Sequence, residues 1–333
     1  MLAGTARLKD VAAATDLSPA TVSRHLNGTL QLPDSIRRRI EDAIVRLGYR
    51  PNPHARSLSR GRSEQIGLVL PELANPFFAQ LADAIEGAAA ERGLGVLLCT
   101  TSNRPDRELD YLRRLRGQHM DGLLFLTNHA DNGTMSAAIN AAPGTVLLDE
   151  DVPGTNVPKV FADNVHGGTL AGRHLLDAGH RVLALVGGTT GLLSTRERSA
   201  GFRDAVARQP GAVLVAEYLG SYTREHGRAS TVRLLREHPD VTAVFTTSEE
   251  ILIGLLEVLE DAGRRVPDDI SVVMFDDIGP LHLFRPAITA VKQDLAAMGR
   301  CAVSLLQEPA GRSPVVERIA VSLTERASVT PRS

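Results

Sequence analysis

One short run near the N-terminus holds the residues best suited to meeting a charged, hydrogen-bonding partner: Ala20, Thr21, Ser23 and Arg24, followed by Asn27. Small side chains let a helix approach a groove closely, and one long guanidinium can offer paired N–H donors to guanine O6 and N7. Thr21, Ser23 and Asn27 can bond phosphate oxygens. Other chemistry is poorly served. His180, in Gly179-His180-Arg181, has no carboxylate or nucleophile at a useful spacing and reads as structural. Gly167-Gly168 and Gly187-Gly188 lack the GxxxxGK[ST] or GxGxxG context of a phosphate loop. Cys99 and Cys301 form no CxxC or CxxH cluster and read as buried free thiols. The run Asp149-Glu150-Asp151 reads as a solvated loop rather than an ion site. The expectation is no catalysis, no metal and no cofactor.

The elements that must hold Arg24 are legible around it. Leu8, Val11 and Ala12 recur at helical spacing until Thr15-Asp16-Leu17-Ser18 interrupts them. Ser18 is a good N-cap, and Pro19 suits the first helical position because its missing N–H costs nothing there. A helix from Pro19 to Leu26 then turns Val22 and Leu26 inward, and Asn27-Gly28 stops it. A third helix runs from Asp34 or Ser35 to Leu47, with Ile36, Ile40, Ala43, Ile44 and Leu47 as its apolar stripe and Gly48 at its end. This is a helix-turn-helix braced by a third helix. Charge agrees: residues 1–62 carry 11 Lys+Arg against 5 Asp+Glu, and the remainder carries 26 against 34. A basic head on an acidic body points to a polyanion for the head alone, although charge by itself also fits a solvated helix. Pro51-Asn52-Pro53 breaks the third helix, and His54 to Leu58 forms one or two turns that are marginal alone in water.

The 333 residues exceed one ordinary core. Beyond residue 63, apolar runs alternate with amphipathic stretches. Strands are expected at Ile66–Leu70, Val96–Thr100, Gly122–Leu126, Thr145–Leu148, Val160–Phe161, Val182–Val186, Val213–Leu219, Ala243–Thr246 and Ser271–Phe275. Helices fall between them, as at Phe77–Arg92, Gly167–Ala178 and Arg198–Ala207. Such alternation predicts an α/β fold with parallel sheets covered by helices, and ligands of such sheets bind outside the carboxyl ends of the strands. Phe77, Phe78, Asn103, Asp149, Tyr222 and Ser248 fall at such ends, and core packing or turn capping remains the alternative for several of them. No apolar run reaches the roughly 18 residues of a membrane span, and the first residues lack a signal-peptide core. A cytoplasmic protein without membrane partners is expected.

Leu8-Lys9-Asp10-Val11-Ala12, Leu17-Ser18-Pro19-Ala20-Thr21-Val22-Ser23-Arg24, Leu26-Asn27-Gly28 and Leu47-Gly48-Tyr49-Arg50-Pro51-Asn52 together resemble the head signature of the LacI–GalR repressor family. Asn75-Pro76-Phe77-Phe78, Ala162-Asp163-Asn164, Arg196 with Gly201-Phe202, and Phe275-Asp276-Asp277 continue the resemblance through the body. It implies a helix-turn-helix head at 1–49, a hinge at 50–63 and a two-lobed body at 64–333 built like a periplasmic sugar-binding protein. Lobe 1 would take about 64–161 and 292–318, and lobe 2 about 163–290 and 319–330, with crossings near 161–163, 290–292 and 318–320. It also implies that Arg56 and Leu58 enter the minor groove of operator DNA, with Leu58 as an apolar wedge at a CpG step. Arg196 and Asp276 fall on the family's sensor positions. Ser248-Glu249 replaces the usual Asn-Asp, and Glu150-Asp151 stands where Arg is frequent, so effector identity does not transfer. The function implied is an effector-controlled transcriptional regulator binding double-stranded operator DNA as a homodimer, with a sugar-like effector. No leucine heptad follows the body, so no tetramerising coiled coil is expected. A carrier without DNA is the alternative, and the basic head opposes it.

Overall fold

Leu8, Val11 and Ala12 form the inner face of α1 (Leu8–Thr15). The chain then turns at Asp16, whose φ of 54° lies in the left-handed region that Asp enters more readily than most residues. Ser18 Oγ accepts the Thr21 N–H at 3.1 Å and starts α2 (Pro19–Leu26). After the turn at Gly28, α3 (Asp34–Leu47) closes the unit and stops at left-handed Gly48. Val11, Ala12, Val22, Ile40 and Ala43 make the core, with Leu26, Ile36 and Ile44 packed against it. Leu47, expected in the stripe, lies in the last turn and is partly exposed. The computed structural model describes residues 6–50, 63–116, 120–131, 133–308 and 314–332.

Residues 65–333 form a separate unit of two six-stranded sheets. The first contains β1 (Gln65–Leu70), β2 (Gly95–Thr100), β3 (Gly122–Phe125), β4 (Thr145–Leu148), β5 (Lys159–Ala162) and β11 (Val316–Ile319). Its order is β11-β5-β4-β3-β1-β2, and every pair is parallel. The second contains β6 (Val182–Gly187), β7 (Val213–Leu219), β8 (Ala243–Thr246), β9 (Ser271–Phe275), β10 (Thr289–Gln293) and β12 (Val321–Thr324). Its order is β12-β10-β9-β8-β6-β7, parallel except where β12 runs against β10. The expected strands are all present within a residue or two. The sequence reading lacked β10, β11 and β12. The last two are tetrapeptides separated by Ala320, and β11 pairs with β5, more than 150 residues earlier. No local period announces such a pairing.

The chain passes between lobes at Asp163, Asp294 and Ala320. Asp163 accepts the His166 N–H at 3.1 Å and caps α7 (Asn164–Asp177); Asp294 accepts the Ala297 N–H at 2.8 Å and caps α11 (Leu295–Leu306). The second crossing was expected at 290–292, but β10 stays in the second sheet through Gln293. Helix α7 lies against α8 (Leu193–Ala207) at very close range. A Cβ on Gly168 would stand 2.1 Å from the Arg198 carbonyl oxygen, and one on Gly201 would stand 2.0 Å from that of Val165. His180 is fully buried. Its Nε2 donates to the Thr330 carbonyl oxygen at 3.2 Å, and its Nδ1 lies 2.9 Å from Thr242 Oγ1, so it ties the C-terminal segment to the second lobe.

Two outcomes follow from this packing. Gly201→Val forces α7 and α8 apart and lowers the unfolding free energy by about 1–3 kcal/mol in denaturant titration. Burial pushes His180 down to about 4, so the unfolded chain takes up a proton before the folded one does. Its stabilisation is present above about pH 6.5 and is lost as pH falls toward about 4, by roughly 3 kcal/mol. The stability gap between wild type and His180→Gln therefore narrows over that window, and a gap independent of pH would remove this role.

Candidate functional site

The strand order of each sheet reverses beside its first strand, β1 in one and β6 in the other, which opens a crevice at the carboxyl ends. A cavity of about 410 Å³ occupies that crevice between the lobes. Phe77 and Phe78 reach it from the first turn of α4 (Pro76–Ala90), where Asn75 accepts the Phe77 N–H at 2.9 Å. Asn103 follows β2, Asn128 and His129 follow β3, and Asp149 and Glu150 follow β4. From the other lobe come Ser194 and Arg198 on α8, Tyr222 after β7, Ser248 and Glu249 after β8, and Asp276 after β9. Phe77 and Phe78 are buried, meet edge to face at 5.2 Å, and serve the first lobe's core as well as the lining.

Asp149 and Asp276 occupy matching places. Each is the first residue past its strand, each is left-handed, at φ 67° and 79°, and each is buried. Arg198 lies beside Asp276. Its Nη1 donates to the Thr247 carbonyl oxygen at 2.8 Å and to Asp276 Oδ2 at 3.4 Å, and its Nε donates to Asn164 Oδ1 at 2.8 Å. The guanidinium also lies 3.7 Å over the Phe275 ring. Gln293 Nε2 donates to Asp276 Oδ1 at 2.5 Å. Burial raises the Asp276 carboxyl while Arg198 opposes that rise. Burial pushes Asp149 up to about 6, with Arg198 again opposing and Asp276 adding to the rise.

Glu150 spans the two lobes. Its carboxylate accepts the Leu193 N–H at 2.7 Å, the Ser194 N–H at 3.3 Å, and the Ser194 hydroxyl. The N-cap residue of α8, Leu192, supplies no side-chain acceptor, so Glu150 satisfies the helix's open N–H groups from the opposite lobe. Burial, reinforced by Asp149, raises the Glu150 carboxyl, and the hydrogen bonds from Ser194 oppose the rise. Tyr222 Oη stands 2.9 Å from Ser194 Oγ and 2.8 Å from Thr195 Oγ1. Its ring covers Gly188, where a Cβ would come within 2.2 Å of ring carbon. The acidic run is thus not a solvated loop: Asp149 and Glu150 are buried, and Asp151 pairs with Lys159 at 2.5 Å.

Of the expected cleft residues, Phe77, Phe78, Asn103, Asp149, Tyr222, Ser248 and Asp276 line the cavity. Arg196 does not. It is exposed, and its Nη1 reaches the Gly191 carbonyl oxygen at 3.4 Å. The arginine of the cleft is Arg198. Helical period explains the difference, because Arg198 lies three and four residues before Gly201 and Phe202 and shares their inward face. Arg196 lies two residues off that face. Its neighbour Glu197 pairs with Arg318 from β11 across the lobes. Ser248 also caps α10 (Glu249–Asp261). In the head, Ala20 and Arg24 are exposed and Thr21, Ser23 and Asn27 are half-exposed along α2. Arg56 and Leu58 lie outside the described residues. Among the described residues, no group of three or more His, Cys, Asp or Glu could hold a metal ion, and no helix is long and apolar enough to cross a membrane.

Burial separates the two arginines experimentally. Arg198→Met leaves Asp276 and Asp149 facing each other without a cation and destabilises the body by about 3–5 kcal/mol. Arg196→Ala stays within about 0.5 kcal/mol of wild type. Denaturant titration of both variants checks the assignment.

Residues 63–327 match the family of periplasmic binding proteins and the sugar binding domain of the LacI family, and residues 7–52 match the bacterial regulatory proteins of the lacI family. The chain is 32% identical over 308 residues to the ribose operon repressor of Halalkalibacterium halodurans, covering 92% of this chain and 91% of that protein. It is 34% identical over 311 residues to the HTH-type transcriptional regulator CelR of Thermobifida fusca, covering 90% of each. Among solved structures, a lac repressor dimer bound to operator and an anti-inducer superposes with a TM-score of 0.85 at 27% identity, covering 98% of this chain and 99% of that one. A CelR–cellobiose complex superposes with a TM-score of 0.73 at 31% identity, covering 97% and 99%. A head of three helices, a body of two largely parallel sheets with a polar cleft between them, and matches that span both place this chain in the LacI family of bacterial DNA-binding transcriptional regulators.

Proposed function

We propose that the chain is a cytoplasmic repressor that binds a two-fold operator as a homodimer and changes its grip when a small polar metabolite closes the cleft. The observation that carries this reading is the cleft itself, where Arg198 and Asp276 face the aromatic pair Phe77 and Phe78 across about 410 Å³. A sugar has adjacent hydroxyls and one apolar face. Buried donors and acceptors match the hydroxyls, and rings cover the face. The relatives support a sugar first: one is a ribose operon repressor and another is solved with cellobiose. A purine-like effector is the second reading, since PurR proteins are also among the relatives.

On DNA, α2 is the reading helix in this proposal. Arg24 takes one guanine per half-site, Ala20 allows close approach, and Thr21, Ser23 and Asn27 hold phosphates. Arg56 and Leu58 enter the minor groove at the operator centre, a CpG step. A two-fold site needs a two-fold protein, and the lac repressor relative is a dimer on its operator. Effector and operator act on one equilibrium, so each shifts the other's affinity by the same factor.

Selection from random duplexes yields a pseudo-palindrome. Arg24→Ala then lowers affinity for it by about 1–3 kcal/mol and relaxes one position per half-site, as read by fluorescence anisotropy. Equal wild-type binding to the selected and scrambled duplexes at physiological salt would refute the operator reading. For the effector, calorimetry against sugars and purines shows binding to wild type that Arg198→Lys and Asp276→Asn weaken at least about tenfold. Unchanged affinity in both variants would move the effector away from this cleft.

A further inference from the structure

The carboxylates of the cleft outnumber its cations. Arg198 is the only Lys or Arg among the described lining residues; its Nε and Nη1 go to Asn164, Thr247 and Asp276, so its one positive charge is shared with Asp276 while Nη2 can still donate to a hydroxyl. His129 Nε2 donates to the Asn103 carbonyl oxygen at 2.9 Å. Two buried carboxylates are answered by protein donors: Asp276 by Arg198 and Gln293, and Glu150 by the N-terminal N–H groups of α8 and the Ser194 hydroxyl. Asp149 and Glu249 are not answered in this way. Asp149 is 7% exposed, lines the cavity, and has no hydrogen-bond partner for Oδ1. Glu249 is 9% exposed, lines the cavity at the start of α10, and makes no side-chain hydrogen bond among the described residues.

One guanidinium, already engaged by Asp276, cannot balance both Asp149 and Glu249 as ions in a cleft that closes and sheds its water. Sugar hydroxyls would donate hydrogen bonds to them but leave the charge unbalanced. An ammonium group supplies both the donors and the charge, and charge-assisted hydrogen bonds are the stronger kind. We propose that the effector is a polyol of mono- or disaccharide size bearing a protonated amine, held by Asp149 and Glu249, while Arg198 and Asp276 take its hydroxyls. This rests on the cleft being the effector site. The cavity of about 410 Å³ is in the range of small-ligand pockets. Phe77 and Phe78 line the same cavity and can cover an apolar sugar face. Burial already works against both carboxylates: it raises Asp149, and it raises Glu249 with the charges of Glu250 and Asp276 adding to the effect. A bound cation relieves that strain and couples occupancy to lobe closure.

The experiment is calorimetry on the full chain at neutral pH with glucosamine, galactosamine and the chitosan disaccharide. Each is compared with its neutral parent, namely glucose, galactose and cellobiose, and N-acetylglucosamine is the uncharged control. The expected result is that at least one amino sugar binds at least about tenfold more tightly than its parent, with no such gain on acetylation. Asp149→Asn and Glu249→Gln then reduce that preference to less than about threefold. A neutral parent that binds as tightly as its amine, or more tightly, overturns this inference and leaves the sugar reading of the cleft standing. Failure of all seven compounds to bind overturns both. The wild-type comparison needs no variant, so it decides even if a substituted chain does not fold.

Discussion

The body depends on one buried cation. Arg198 enters the cleft from α8 and meets a carbonyl, an amide oxygen, a carboxylate and an aromatic face from three segments: Thr247 after β8, Asn164 on α7, and Phe275 with Asp276 at the end of β9. A guanidinium suits this place because it is planar, always charged and rich in fixed donors, and its face stacks on a ring. It can reach them only because α7 and α8 almost touch. Gly168 and Gly201 remove the side chains that would keep the helices apart, and the Arg198 backbone itself packs against Gly168. Close helix packing, the position of the charge and the shape of the cleft are therefore one constraint. Loss of the guanidinium would leave Asp276 buried beside Asp149, two like charges pressed out of water.

A second dependence joins the lobes. Three strand-to-helix or strand-to-strand crossings give the body its hinge, at Asp163, Asp294 and Ala320. Around the cleft, polar contacts between the lobes include Glu150 on the N-terminus of α8, and Arg318 on Glu197. A carboxylate on open helix N–H groups is strong but directional, so it holds one closed geometry and loses its bonds when the lobes separate. Glu150 directly follows Asp149, so a ligand that engages Asp149 acts within one residue of the latch. That adjacency gives the cleft a short physical route to lobe closure.

The head is governed by shorter-range rules. Ser18, Pro19, Asp16, Gly28 and Gly48 each act on the residues next to them, by capping, by fixing φ or by entering the left-handed region. Those five positions leave α2 with Val22 inward and Ala20 and Arg24 outward. The outward face of α2 is thus a by-product of local stereochemistry and a small apolar core.

What the sequence by itself determined follows from this difference in range. The three head helices, the nine strongly apolar strands and the α/β class were legible because each rests on a local period or a single cap. Asp149 and Asp276 were legible as strand-end acids. The tertiary structure alone decided the rest. Helical period puts Arg198, not Arg196, on the face of Gly201 and Phe202, but only the packing of α8 on α7 makes that face the buried one. Glu150 and Asp151 look like a solvated pair until the second lobe brings the N-terminus of α8 against one and β5 brings Lys159 against the other. The strands β10, β11 and β12 exist because distant partners satisfy their backbone groups, and the crossing at Asp294 follows from how far β10 stays paired. Local residue types set the elements and their outward or inward faces. Which charges become buried neighbours depends on the meeting of segments far apart in the chain, and no local pattern encodes it.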